Sequence, residues 1–198
     1  AVHPGYGFLS ENDDFARLCE KNKINFIGPS ADSMNLCGDK MRCKEAMLKA
    51  KVPTVPGSPD LVKDADEAEK LANEIGYPVM LKSVYGGGGR GIRIVTTDQE
   101  LRDAYETVTA ESMAAVGKSA IIVEKFLEKT RHIEYQMCRD HHGNAVHLFE
   151  RECSIQRRNQ KLIEQTPSPV VDKAKREEIG ELVVKAAEAV DYTNLGTA

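Results

Sequence analysis

Pro78-Val79-Met80-Leu81-Lys82-Ser83-Val84-Tyr85-Gly86-Gly87-Gly88-Gly89-Arg90-Gly91-Ile92-Arg93-Ile94-Val95-Thr96 sets a glycine loop between two short apolar runs, and that arrangement decides the fold class. Residues 78–83 and 92–96 have the length and apolar content of strands. Glycine carries no Cβ to shield the main chain, so consecutive glycines expose N–H groups that can cradle phosphate oxygens. The same freedom lets such a loop open for a nucleotide and close over it. No Gly-Lys-Ser/Thr follows, which excludes a Walker A loop, and no helix follows, which excludes a Rossmann turn. The competing reading is a plain hairpin, but ordering so many glycines costs backbone entropy that a plain turn need not spend. Lys82 stands shortly before the glycines and can reach a phosphate as a point charge. Taken alone, it reads equally as a solvated surface lysine.

On the N-terminal side, Val52-Pro53-Thr54-Val55-Pro56-Gly57-Ser58-Pro59 reads as an extended linker or domain crossing, because proline fixes φ and cannot donate to a ladder. Asp64, with Glu67 after it, opens a helix whose apolar face is Ala68, Leu71, Ala72 and Ile75. Before the linker, Ser10 to Asp13 offers a cap for a helix running to about Lys23. Residues 24–28 then read as a short strand, Ser30 as the cap of a short helix, and residues 39–50 as another helix.

On the C-terminal side, Thr97 and Glu100 form a capping-box pattern that opens a long helix with Leu101, Ala104, Tyr105 and Val108 inward. Residues 120–126, 132–138 and 145–152 read as strands, the last two joined by the turn residues Asp140 to Asn144. A closing helix over residues 172–190 presents Ile179, Leu182, Val183, Ala186 and Val190 on one face. The order predicts an α/β start joined to an α+β module.

Two further stretches point to ligand chemistry. Glu124-Lys125-Phe126-Leu127 ends an apolar strand, where backbone groups and a carboxylate can read an adenine and a ribose hydroxyl, though Glu-Lys at a strand end is common surface chemistry. Gln156-Arg157-Arg158-Asn159-Gln160-Lys161 gathers amide and cationic groups after a strand, a run that suits triphosphate or bicarbonate. His132 is not distinguished by spacing alone.

Composition bounds the alternatives. A net charge of −4 lacks the basic excess of a nucleic-acid binder. No run approaches the roughly 18 apolar residues of a membrane helix, and no secretory signal opens the chain. Five cysteines without a CxxC pair read as reduced cytosolic thiols rather than disulfides or a zinc site. Both ends read as cut: Ala1 leads straight into a Pro-Gly turn, and Asn194 to Ala198 stop where a strand is expected to begin.

Val2-His3-Pro4-Gly5-Tyr6-Gly7-Phe8-Leu9-Ser10-Glu11-Asn12 resembles the HPGYGFLSEN signature of biotin carboxylases. Phe26 to Ser30, Gly38-Asp39-Lys40, Gly86 to Gly91, Arg131-His132-Ile133-Glu134 and Cys153 to Lys161 follow in that family's order and spacing, so the resemblance covers essentially the whole chain. It implies an ATP-grasp fold preceded by the end of an N-terminal α/β domain. Residues 1–52 would close that domain with a linking helix, 53–130 would form the ATP-grasp lid, and 131–198 would begin an incomplete C-terminal ATP-grasp sheet.

The resemblance also implies roles. Lys40 and Lys82 would bind ATP phosphates, Gly88 and Gly89 would belong to the closing loop, and Glu124, Lys125, Phe126 and Leu127 would hold adenine and ribose. His132 and Gln156 would contact nucleotide, as would Asn159, which replaces the family's usual histidine and can hydrogen-bond but not titrate. Lys161 would be the catalytic lysine beside bicarbonate and the γ-phosphate. The implied reaction is ATP- and bicarbonate-dependent carboxylation of biotin through carboxyphosphate, with Mg2+ or Mn2+ held by glutamates expected beyond Ala198 and no metal ligand within the chain. Implied partners are a biotin carboxyl carrier, a carboxyltransferase and a second copy in a homodimer, in the cytoplasm or, in a eukaryote, the mitochondrial matrix. These residues alone are expected to bind ATP weakly and not to turn over. The alternatives are another ATP-grasp ligase of the carbamoyl-phosphate synthetase kind and a non-catalytic nucleotide-binding module.

Overall fold

The computed structural model describes residues 1–84, 91–158 and 160–198. Among these, the helices are α1 (Asp13–Lys21), α2 (Ala31–Gly38), α3 (Lys40–Lys49), α4 (Ala65–Ile75), α5 (Asp98–Val116) and α6 (Lys173–Ala189). The strands are β1 (Val79–Ser83), β2 (Ile92–Val95), β3 (Ile121–Lys125), β4 (Ile133–Arg139), β5 (Ala145–Arg157), β6 (Gln160–Gln165) and β7 (Asn194–Thr197). They divide into two compact units, one made of Ala1–Pro53 with Arg131–Ala198 and the other of Thr54–Thr130.

The Thr54–Thr130 unit is a three-stranded antiparallel sheet in the order β2-β1-β3, covered by α4 and α5. The alternating burial of β1 turns Val79 and Leu81 into the core, where they meet Ala68 and Ala72 of α4 and Leu101 and Val108 of α5. Both helices start where their sequences signal. The Asp64 side chain accepts from the Glu67 amide, and the Thr97 hydroxyl oxygen accepts from the Glu100 amide while Glu100 accepts from the Thr96 amide. The proline-rich stretch runs extended along β3, with Ser58 N donating to Val123 O at 2.7 Å and Val62 N to Ile121 O at 2.9 Å. Gly57 lies so close to this strand that a Cβ would meet Val123 O at 2.6 Å, so only glycine fits without a shift.

The second unit is a four-stranded antiparallel sheet in the order β6-β5-β4-β7, with α6 on one face. Tyr135 and Met137 of β4 pack against Val183 and Ala187 of α6. Glu150 of β5 is buried and accepts two hydrogen bonds, each 2.7 Å, from the Arg176 guanidinium on α6. A smaller apolar cluster joins α1 to α2 through Ala16, Cys19, Phe26, Ala31 and Met34. Asn194 Nδ2 donates to Gly28 O at 2.7 Å, tying the last strand to the N-terminal segment.

Two sequence expectations change. Residues 24–28 form no strand, only an isolated parallel bridge between Val2 and Phe26. Within the Ser10 to Asp13 stretch it is Asn12 that caps α1, after a short 3-10 turn over Phe8–Glu11. The polar run from Gln156 to Lys161, read as following a strand that ends at residue 152, lies within the sheet: β5 extends through Arg157 and β6 begins at Gln160, pairing Gln156 with Lys161. Every residue of β6 is exposed, so no apolar alternation marks it.

Candidate functional site

Strands β4, β5 and β6 lie side by side, and their register sets the chemistry of one sheet face. Glu134 on β4 lies opposite Arg151 on β5. The Arg151 guanidinium donates to Glu134 Oε1 through Nη2 at 2.7 Å and Nε at 3.0 Å. Lys161 on β6 forms an ion pair with the other oxygen, Oε2. Burial pushes the Glu134 carboxyl up, but the hydrogen bonds from Lys161 and Arg151 outweigh it and hold the group below its ordinary value. The Lys161 ammonium is held above its ordinary value, chiefly by its hydrogen bond to Glu134. Lys161 is therefore a fixed, fully protonated cation at an exposed edge.

His132 and Gln156 belong to the same cluster. Gln156 Nε2 donates to Cys153 O at 2.8 Å and lies 3.2 Å from His132 Nδ1. The main chain locks this geometry, since Cys153 N donates to His132 O at 2.8 Å and His132 N to Ser154 Oγ at 3.0 Å. Cys153 is wholly buried beneath, and burial, followed by the nearby Glu134 carboxylate, pushes its thiol up. One ligand atom each from His132, Glu134 and Cys153 falls within 4.8 Å of the others. That nitrogen, oxygen and sulfur set does not fit Mg2+, which takes oxygen ligands in octahedral geometry.

Lys40 of the same unit is the first residue of α3 and is exposed. The Asp39 carboxylate that caps this helix accepts from the Met41 and Arg42 amides at 3.0 and 3.1 Å.

In the Thr54–Thr130 unit, Lys82 on β1 pairs with Glu124 on β3 at 2.5 Å, both side chains partly buried. Lys125 is engaged with the fold itself: its ammonium donates to Gly76 O at 2.7 Å and Tyr77 O at 3.0 Å, and its amide to Pro56 O at 2.8 Å. Phe126 N donates to Pro78 O at 3.1 Å, and Leu127 is exposed. Gly88, Gly89 and Asn159 lie outside the described residues.

The structure thus gathers His132, Gln156 and Lys161 in one cluster and Lys82 with Glu124 in another. Reading the sequence alone passed over Glu134, Arg151 and Cys153 as members of the first. A charged residue between Ile133 and Tyr135 was the available signal for Glu134, but its partners follow only from strand register.

Two families of known proteins match the chain. Residues 39–198 match the family of the carbamoyl-phosphate synthase L chain ATP-binding domain, and residues 1–34 match the biotin carboxylase N-terminal domain. The chain is 53% identical over its whole length to the 2-oxoglutarate carboxylase small subunit of Hydrogenobacter thermophilus, of which it covers 42%. It is 52% identical to a biotin carboxylase of Nostoc sp., of which it covers 44%. The chain therefore spans less than half the length of these relatives.

Among solved structures, the biotin carboxylase domain dimer of the Hydrogenobacter protein, in complex with MgADP, ADP and bicarbonate, matches 99% of this chain at a TM-score of 0.86 and 53% identity, over 43% of its own length. The Campylobacter jejuni biotin carboxylase in complex with β-γ-ATP matches 99% at a TM-score of 0.88 and 47% identity, over 44% of its length. Among the described residues, no helix is long and apolar enough to cross a membrane. The chain belongs to the carbamoyl-phosphate synthase L chain ATP-binding family, in its ATP-grasp biotin carboxylase branch.

Proposed function

We propose that this chain supplies nucleotide- and bicarbonate-handling groups for ATP-dependent carboxylation of biotin, the first half-reaction of a biotin-dependent carboxylase. The observation that carries the reading is the likeness, over 99% of the chain at 53% identity, to a domain crystallised with MgADP and bicarbonate. The fixed Lys161 cation supports it, because bicarbonate attack on a γ-phosphate gathers negative charge that a preorganised cation stabilises.

In this reading Lys161 faces bicarbonate and the γ-phosphate, and Glu134 with Arg151 holds its ammonium in place. His132 and Gln156 contact nucleotide, as does Asn159, and Lys40 reaches phosphate from the start of α3. Within residues 53–130, read as the lid, Lys82 meets phosphate and Gly88 and Gly89 close over it. Glu124 and the main chain from Lys125 to Leu127 read adenine and ribose. Bicarbonate oxygen forms a bond to γ-phosphorus as the bond to ADP breaks, giving carboxyphosphate, which splits into CO2 and phosphate. The ureido nitrogen of biotin bonds the CO2 as its proton passes to the phosphate. Biotin arrives on a carrier protein or domain, a carboxyltransferase uses the product, and a second copy pairs with the first. Glutamates expected from the resemblance, outside these 198 residues, would hold Mg2+ or Mn2+, which would supply neutralisation of phosphate charge.

The test is made on the complete protein that carries this chain. Lys161→Ala is expected to lower bicarbonate-dependent carboxylation of free biotin by about 10²- to 10³-fold, the loss typical of removing one preorganised charge-stabilising donor, while ATP binding by calorimetry is retained. Wild-type protein that consumes ATP with bicarbonate but leaves biotin uncarboxylated would move the assignment to another ATP-grasp ligase.

A further inference from the structure

The His132, Glu134 and Cys153 cluster offers a nitrogen, an oxygen and a sulfur donor together, a set suited to metal ligation beyond the roles proposed above for His132 and Glu134. Its ligand atoms lie within 4.8 Å of one another. In a tetrahedral zinc site, bonds of about 2.0 to 2.3 Å place neighbouring ligand atoms about 3.5 Å apart. Closing the cluster around one ion thus needs side-chain shifts of about 1 Å. Much of the frame is already set. Cys153 and His132 are joined through the main chain across β4 and β5, and Cys153 is wholly buried and cannot swing away. His132 is exposed, which leaves an approach for an ion and an open fourth position for water. Imidazole, thiolate and one carboxylate oxygen together favour a borderline-soft cation over Mg2+ or Ca2+.

We propose that His132, Glu134 and Cys153 form a binding site for a zinc-class divalent cation, and that its occupancy takes Glu134 from Lys161. The exchange balances in atoms and charge. The Cys153 S–H bond breaks as the sulfur–metal bond forms, and the proton leaves to solvent. Glu134 Oε2, now paired with Lys161, turns its lone pair to the ion, while Oε1 keeps its two bonds from Arg151. Lys161 loses its anchor. Building on the role proposed above for Lys161, such an ion would inhibit the carboxylation step, although its binding does not depend on that role.

Cobalt(II) is the probe, since thiolate ligation gives a charge-transfer band in the near ultraviolet. Titration of this chain with Co2+, followed by competition with Zn2+, is expected to give that band at one equivalent. Cys153→Ser is expected to abolish the band, and His132→Ala to weaken Zn2+ binding by about 10- to 100-fold, the range that even supporting residues of metal sites command. The exposed His132 makes a variant that leaves the core intact, so loss of binding there is not a folding effect. Cys37→Ser with Cys43→Ser, remote in sequence from the cluster, is expected to leave the band unchanged. A band that survives Cys153→Ser or vanishes with the Cys37 and Cys43 substitutions overturns the proposal, as does absence of any band with wild type. None of these measurements involves ATP, so failure of the metal site is distinguishable from failure of the carboxylase reading.

Discussion

Glu150 has no exposed side-chain surface, yet it keeps its charge because Arg176 meets it with two parallel bonds and Ser168 N donates at 3.0 Å. These bonds, the Arg176 pair foremost, pull its pKa down from 4.5 to about 2 against the opposing effect of burial. A carboxylate whose folded pKa lies below its unfolded value stabilises the fold at higher pH, and the contribution fades as pH falls from about 4.5 towards about 2. Glu150→Ala leaves the partly buried Arg176 cation without its carboxylate, so it is expected to cost about 3 kcal/mol at neutral pH. Denaturant unfolding across that acid window checks both statements. The variant should be less stable at pH 7, and its stability should fall less steeply than wild type's between pH 4.5 and 2. Glu134 has the same design in a different setting, with one of its two cations, Lys161, at an exposed position. From sequence, Lys161 was legible through its motif. Glu134 and Arg151 were not, because a cross-strand pair depends on a register that no local pattern specifies.

The elements follow local chemistry where a cap or an alternation exists and depart from it where neither does. Ser30, Asp64 and Thr97 were readable as caps, and each accepts from an amide three residues on. Strand β6 was not readable, since all six of its residues face solvent and its place comes from pairing with β5. Helix α6 was predicted from its apolar face, but a glycine on it also meets the sheet. A Cβ on Gly180 would stand 2.4 Å from His147 Nε2 of β5, and that ring is wedged between Tyr135 and Phe149, with centroids 6.2 and 5.5 Å away. Alanine in an ordinary helix interior would gain about 1 kcal/mol over glycine. Here, overpacking is expected to reverse the sign, so that Gly180→Ala lowers stability by about 1–3 kcal/mol. A double-mutant cycle with His147→Ala locates the cause: removal of the ring should recover at least about 1 kcal/mol of the alanine penalty. Additivity of the two substitutions would show that the close approach is not the source.

At the scale of the whole molecule, the chain leaves one unit at Pro53, builds the Thr54–Thr130 unit from a continuous segment, and returns at Arg131. The proline-rich crossing was legible because three prolines and a glycine cannot continue a helix or a central strand. That residues 1–53 join residues 131–198 was not legible, since the joining contacts, such as Asn194 to Gly28, link positions far apart in sequence. The two units have separate apolar cores, one around Leu81 and Val123 and the other around Tyr135 and Val183. Separate cores imply separate opening reactions, because the cost of exposing apolar surface falls on the unit that holds it. Leu81 is fully buried, so Leu81→Ala is expected to cost its own unit about 2–5 kcal/mol. Amide hydrogen exchange should then quicken in β1, β3, α4 and α5 while β4, β5 and α6 keep their wild-type rates. Val183→Ala, a smaller truncation in the other core, should give the reverse map. Uniform acceleration across the chain in either variant would mean that the two cores open as one cooperative block. In that case a substitution in residues 54–130 would also disturb Lys161 and its anchors.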